Sequence, residues 1–248
     1  DLLDSFVTLL VGLALVRQNE WAIGVIGSFL KHPVKNAPLL RRASFTALSY
    51  VTPDKFSDAE NAVTVERGLA WVRASIEAAA QGIGELRVRD QLSTEDQAHF
   101  RDMYGVIDEV VTRFYFKLGD REVKSAEGKP PLTEAQRRAF YEKVKPLLDD
   151  IIRFSLDEKT GLLLAPTAHR FMELLNGVLR TDPRGVLRMA ALVATTSERT
   201  SYNLDGLAIR EVVSLVETIL ADYRTEVRQG DSLQDLLTLL DVFAKAGA

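Results

Sequence analysis

With 248 residues, 46% of them apolar, the chain is long enough to bury a substantial core and sits near the size at which one globule gives way to two domains or a repeat array. A net charge of −4 and a pI near 5.5 argue against a general nucleic-acid or anionic-membrane surface, either of which needs clustered positive charge. The absence of cysteine excludes disulfides and thiolate zinc sites, and it suits a reducing cytoplasm.

The first apolar run, residues 2–16, has no basic stretch before it and ends at Arg17, Gln18, Asn19 and Glu20. That is short of the ~20 apolar residues of a membrane-spanning helix. It reads as a helix buried nearly all round. An opening this apolar, starting on Asp1 and not Met, suggests a piece of a longer protein whose neighbouring segment covers that helix. A second helix over residues 20–31 stops at His32, because the residue before Pro33 avoids the α region. Its Gly24 and Gly27 suggest close approach of another helix. Pro38 suits the first turn of a third helix that ends before Pro53. Ser57 or Asp58 then caps a long helix carrying Val63, Leu69, Trp71, Val72 and Ile76 and fading at Gly82 and Gly84.

Ser93 and Asp96 form an acidic variant of the capping box at the start of the next helix. Its core face is Phe100, Met103, Tyr104, Ile107, Val110, Val111, Phe114 and Leu118, at three- and four-residue steps. Residues 119–131 lose the periodicity to charge, Gly128 and the pair Pro130 and Pro131, and read as an exposed loop. Thr133 and Gln136 restart the chain with a capping box, and Pro146 is expected to kink or divide the helix that follows.

Three helices then follow, opened by Pro166, by Asp182 with Pro183, and by Asp205. The third places Leu204, Ala208, Val212, Leu215, Val216, Ile219, Leu220 and Tyr223 on one side, with Arg210, Ser214, Glu217 and Arg224 on the other. Gly230 and Asp231 break the chain, and Ser232 caps a last amphipathic helix bearing Leu233, Leu236, Leu237, Leu239, Leu240, Val242 and Phe243. The fold class is therefore all-α, with about ten helices in antiparallel pairs. A C-terminal helical-repeat part, residues 93–248, follows an N-terminal helical part, residues 1–92, within one continuous array.

The pairs opening near Pro166 and near Asp205 begin about 39 residues apart, close to the HEAT or armadillo period of ~40 to 47. On this layout, and on the Pro inside a helix, the last 115 or so residues resemble HEAT repeats. The resemblance implies a curved stack of helix pairs whose surfaces bind other proteins. The stretch over residues 171–243, with Asn203, Leu204 and Asp205 and then Leu220, Ala221, Asp222 and Tyr223, is also similar to helical regions near the C-termini of large bacterial multidomain proteins, some of them defence-type ATPases. That likeness implies a scaffold or sensor region with the chemistry elsewhere.

Candidate chemistry is sparse. Glu95, His99 and Asp102 share a helix face at metal-ligand spacing, yet such neighbours ordinarily give only weak pairing. His169, near Arg170 and Glu173, reads as a first-turn histidine. The hydroxyl-rich residues 195–203 read as a linker, open to a regulatory role but built like any cap or turn. No Walker, nucleophile-elbow, zincin or calcium motif is present, and Gly82 with Gly84 reads as a helix stop and not a dinucleotide loop. Lys117, Arg121, Lys124, Arg137, Arg138 and their basic neighbours are interleaved with acids that nearly cancel the field. The expectation is a non-catalytic helical scaffold or sensor region of a larger cytoplasmic bacterial protein. It binds protein, with no catalytic residues, cofactor, nucleic acid or membrane. The alternative is a HEAT-like nucleic-acid-binding protein or enzyme such as a DNA glycosylase.

Overall fold

The computed structural model describes residues 2–56, 58–118, 133–157, 165–199 and 206–246, which form eleven helices and no strand. They fall into two compact units, residues 1–113 and residues 114–248. The division lies inside one helix and not at the turn near residue 92. Neighbouring side chains on that helix have different partners: Arg113 stacks on Phe45 at 4.4 Å, whereas Phe114 packs edge-on against Phe140 at 6.3 Å.

The first unit contains α1 (Leu2–Leu15), α2 (Glu20–Lys31), α3 (Ala37–Tyr50), the single turn α4 (Pro53–Phe56), α5 (Ala59–Arg87) and most of α6 (Thr94–Leu118). Its local starts and stops follow from side-chain chemistry. Gln18 takes the left-handed conformation at φ 53° to turn the chain, and the Asn19 side-chain Oδ1 then accepts the Ala22 N–H at 3.0 Å to cap α2. The acidic capping box of α6 forms in both directions, Ser93 with Asp96, at 3.0 and 3.2 Å. α1 packs on α2 and α3, and α3 packs on α5. The shared core includes Val11, Leu40, Leu48, Val72, Ile76, Ile83, Met103 and Ile107, each fully buried. Each such side chain contributes about 1.5–3 kcal/mol on removal from water.

Two glycine expectations are corrected here. α5 does not stop at Gly82 and Gly84 but runs on to Arg87. Gly82 is needed inside the helix because a side chain there would meet Met103 of α6 and Pro33. Conversely, a Cβ on Gly24 or Gly27 of α2 would meet nothing within 4 Å, so no helix of this unit approaches them closely. The turn α4, begun by Pro53, was not legible as a separate element. Ser57 lies outside the described residues.

The second unit contains the end of α6, then α7 (Glu134–Leu156), α8 (Ala165–Val178), α9 (Pro183–Arg199), α10 (Gly206–Asp222) and α11 (Asp231–Ala246). The capping box of α7 forms between Thr133 and Gln136, and the helix runs through Pro146 undivided. Within this helix Tyr141, Val144, Leu148 and Ile151 are fully buried, so packing holds together a segment in which Pro146 donates no hydrogen bond. α8 packs on α9 and α10, α9 packs on α11, and α7 packs on α9. Gly230, with φ 60°, makes the left-handed turn that lets α11 begin at Asp231, one residue before the anticipated Ser232 cap.

The apolar face of α10 is Val212, Leu215, Val216 and Ile219, whereas Leu220, expected with them, is exposed. On α11 only Leu236, Leu239 and Val242 of the described apolar set are buried, and Leu233, Leu237 and Leu240 face solvent. α9 continues through Thr195, whose hydroxyl donates to the Ala191 carbonyl at 2.8 Å, so the linker expected from that residue is helical as far as Arg199. Residues 200–205, like the expected loop at 119–131, lie outside the described residues.

Candidate functional site: an uncharged helix face

α1 carries two apolar stripes. The inner one, Val7, Leu10, Val11, Ala14 and Leu15, is buried in the first unit. The outer one, Leu2, Phe6, Leu9, Leu13 and Val16, recurs at steps of four and three residues, the spacing of a helix-pairing seam. Val16 belongs to it because its N–H still donates to the Gly12 carbonyl at 3.0 Å, extending the helical path by one residue. Leu2 is 87% exposed, Phe6 48%, Leu9 59% and Val16 44%. The expectation of a helix buried all round is thus corrected, since one stripe is covered and the other is open.

The outer stripe of α1 itself carries no charged side chain, and exposed Arg17 and Glu20 lie just beyond it at the corner. The only ionisable side chain within α1 is Asp4, which turns toward the body of the unit and meets Arg42 at 3.3 Å. Ser5, Thr8 and Gly12 flank the stripe. Beyond the corner at Gln18, α2 adds exposed Trp21 and Ile23 while Ala22, Ile26 and Phe29 point into the core. No single described helix is long and apolar enough to cross a membrane; α1 and α2 have that length only together, and they meet at 116°. The signal in the sequence was the second stripe itself, which a helix buried all round would also show.

The second unit holds the most polar grouping. Asp182 caps α9 through the Gly185 N–H at 2.9 Å, and its other oxygen accepts from Lys145 Nζ at 2.6 Å and Tyr141 OH at 3.1 Å, both on α7. Burial resists ionisation of Asp182, but Lys145, the Gly185 N–H and Tyr141 outweigh it and hold the carboxyl below its usual range. Burial, reinforced by the Asp182 charge, pushes the Tyr141 hydroxyl well above its usual value. A cleft of about 600 Å³ lies nearby, bounded by Asp149, Asp150, Arg153, Asp157, Arg188 and Leu192 among others. Burial raises Asp149 despite Lys145 and Arg188. Asp150 pairs with Arg153 at 2.9 Å. Acids and bases here answer one another across α7 and α9, so the grouping ties two helices together.

The residues singled out for chemistry do not converge. His99 Nε2 stands 3.9 Å from Glu95, but Asp102 is engaged by Arg41 of α3 at 3.2 Å. Among the described residues no three His, Asp or Glu side chains are placed to hold a metal ion. His169 Nε2 lies 4.0 Å from Glu173, an ordinary helix-neighbour contact. Arg138 is exposed and Arg137 half-buried at the start of α7. No family model matches the chain, and neither a curated protein nor a solved structure resembles it at a significant level.

Proposed function

We propose that this chain is a non-catalytic helical region that makes protein contacts through the outer face of α1 and the adjoining Trp21 and Ile23. The observation that supports the reading is an apolar stripe left open on a helix whose opposite stripe is already buried. Contiguous exposed apolar surface of this kind marks interaction sites more often than chance exposure. The packing of α8 on α9 and α10, and of α9 on α11, fits a layered helical array of the kind the HEAT resemblance implies, although among the described residues α10 and α11 do not pack on each other as a pair. The likeness to helical regions of defence-type ATPases fits a scaffold or sensor role inside a larger cytoplasmic bacterial protein.

Two charge insertions on one helix test this. In dilute solution Leu9→Glu should leave helicity unchanged and stability within about 0.5 kcal/mol, because the outer stripe is uncovered. Leu10→Glu, one residue away on the inner stripe, should unfold the unit, since it buries an unpaired charge. Thermal melts followed by circular dichroism distinguish them. Equal collapse of both variants would mean the outer stripe is core, and the contact reading would be lost.

A further inference from the structure

We propose that the cleft between α7 and α9 binds the zwitterion of a free aliphatic α-amino acid, with its ammonium group on Asp149, its carboxylate on Arg188 and its side chain against Ile152 and Leu192. The cleft lies wholly within the second unit and is independent of the reading of the α1 face.

The two walls follow from helical spacing. Asp149, Ile152 and Arg153 share one face of α7, and Arg188 and Leu192, four residues apart, share one face of α9. Each wall therefore sets a charged group and, one turn on, an aliphatic one. Most of the surrounding charge is already spent. Asp150 is held by Arg153 at 2.9 Å, and Lys145, one turn before Asp149, is held by Asp182 at 2.6 Å. Asp157, which ends α7, is engaged as well. By contrast, among the described residues the side chains of Asp149 and Arg188 form no hydrogen bond and no ion pair, although Arg188 acts on the Asp149 charge across the gap. Desolvation raises the Asp149 carboxyl, and Lys145 and Arg188 do not offset it. On its other side Arg188 faces Asp235 of α11, which desolvation raises in the same way without contact to the guanidinium.

One carboxylate and one guanidinium thus stand apart on facing walls. A charge-assisted hydrogen bond at each end, with the two charged groups of an α-amino acid between, spans roughly 8 Å, which suits the walls of helices packed at ~8–10 Å. A simple cation would leave Arg188 unanswered, and a simple anion would leave Asp149. A metal ion is not favoured, since no three His, Asp or Glu side chains among the described residues are placed to hold one. The volume, about 600 Å³, is that of a small-molecule site.

Equilibrium dialysis of the full chain against labelled L-leucine should show saturable binding with a dissociation constant below ~1 mM. Isocaproate, which lacks the ammonium, and isopentylamine, which lacks the carboxylate, should each compete at least ~10-fold less well, because either leaves one charged wall unanswered. Glycine should also compete at least ~10-fold less well, for want of a side chain to cover Ile152 and Leu192. Asp149→Asn and Arg188→Gln should each weaken leucine binding ~10-fold or more, with circular dichroism unchanged.

Absence of saturable leucine binding by the parent overturns the proposal, as does binding that survives both substitutions. Isopentylamine competing as well as leucine, with Arg188→Gln silent, makes the cleft a cation site. Isocaproate competing as well, with Asp149→Asn silent, makes it an anion site. Either overturns the zwitterion assignment, and glycine competing equally overturns the aliphatic one. None of these results bears on the α1 face.

Discussion

Asp182 shows how much one carboxylate can hold in a helical unit: it caps α9 and, 37 and 41 residues back in the chain, secures Lys145 and Tyr141 on α7. Asp182→Ala should cost ~1–3 kcal/mol, the loss of a cap plus partners left half-buried. Its folded pKa lies below the unfolded value, so its contribution is present above the unfolded pKa near ~3.9 and is lost as pH falls through the folded value. Asp149 has the opposite sign. Its folded pKa is raised, so its charge is a penalty at neutral pH that is relieved as pH falls through the folded value toward ~3.9. Denaturant melts at neutral pH should therefore find Asp149→Asn more stable than the parent and Asp182→Asn less stable, with both differences shrinking in acid. Identical signs would show that the two carboxyls share one environment. On α10, Leu215→Ala should cost ~2–5 kcal/mol, whereas Ser214→Ala, on the exposed side, should be nearly silent.

Helix glycines separate local propensity from packing. Gly27→Ala should stabilise the chain by about 0.5–1 kcal/mol, because the new methyl meets nothing and the helix loses its most flexible residue. Gly82→Ala adds the same propensity but drives a methyl into Met103 and Pro33, so it should destabilise by ~1–3 kcal/mol. A common sign in paired melting curves would contradict the close contact between α5 and α6. The same contrast explains what could be read from the sequence. Caps spaced within one turn were legible, as Ser93 with Asp96, Thr133 with Gln136 and Asp182 before Pro183 all bear out. Whether a glycine ends a helix or admits a neighbour depends on residues far along the chain, so Gly82 was misread. For the same reason the open stripe of α1 was taken as core, and Leu233, Leu237 and Leu240 were placed with buried Leu236 and Leu239. Apolar spacing identifies a helix but does not say how many of its sides are covered. The links from Asp182 to Tyr141 and Lys145 left no short-range signal at all.

For the whole molecule, charge is the property on which the two proposed functional classes differ most. A net charge of −4, with basic residues interleaved among acids along the sequence, favours the proposed protein-contact reading over the nucleic-acid alternative. The direct measurement is fluorescence anisotropy of a labelled DNA duplex titrated with the chain at physiological salt, repeated for the double variant Arg137→Glu with Arg138→Glu at the start of α7. The account predicts negligible binding for both proteins, with stability little changed by the reversal. Tight binding by the parent that weakens steeply as salt rises and vanishes in the double variant would contradict it and make the chain a nucleic-acid-binding protein.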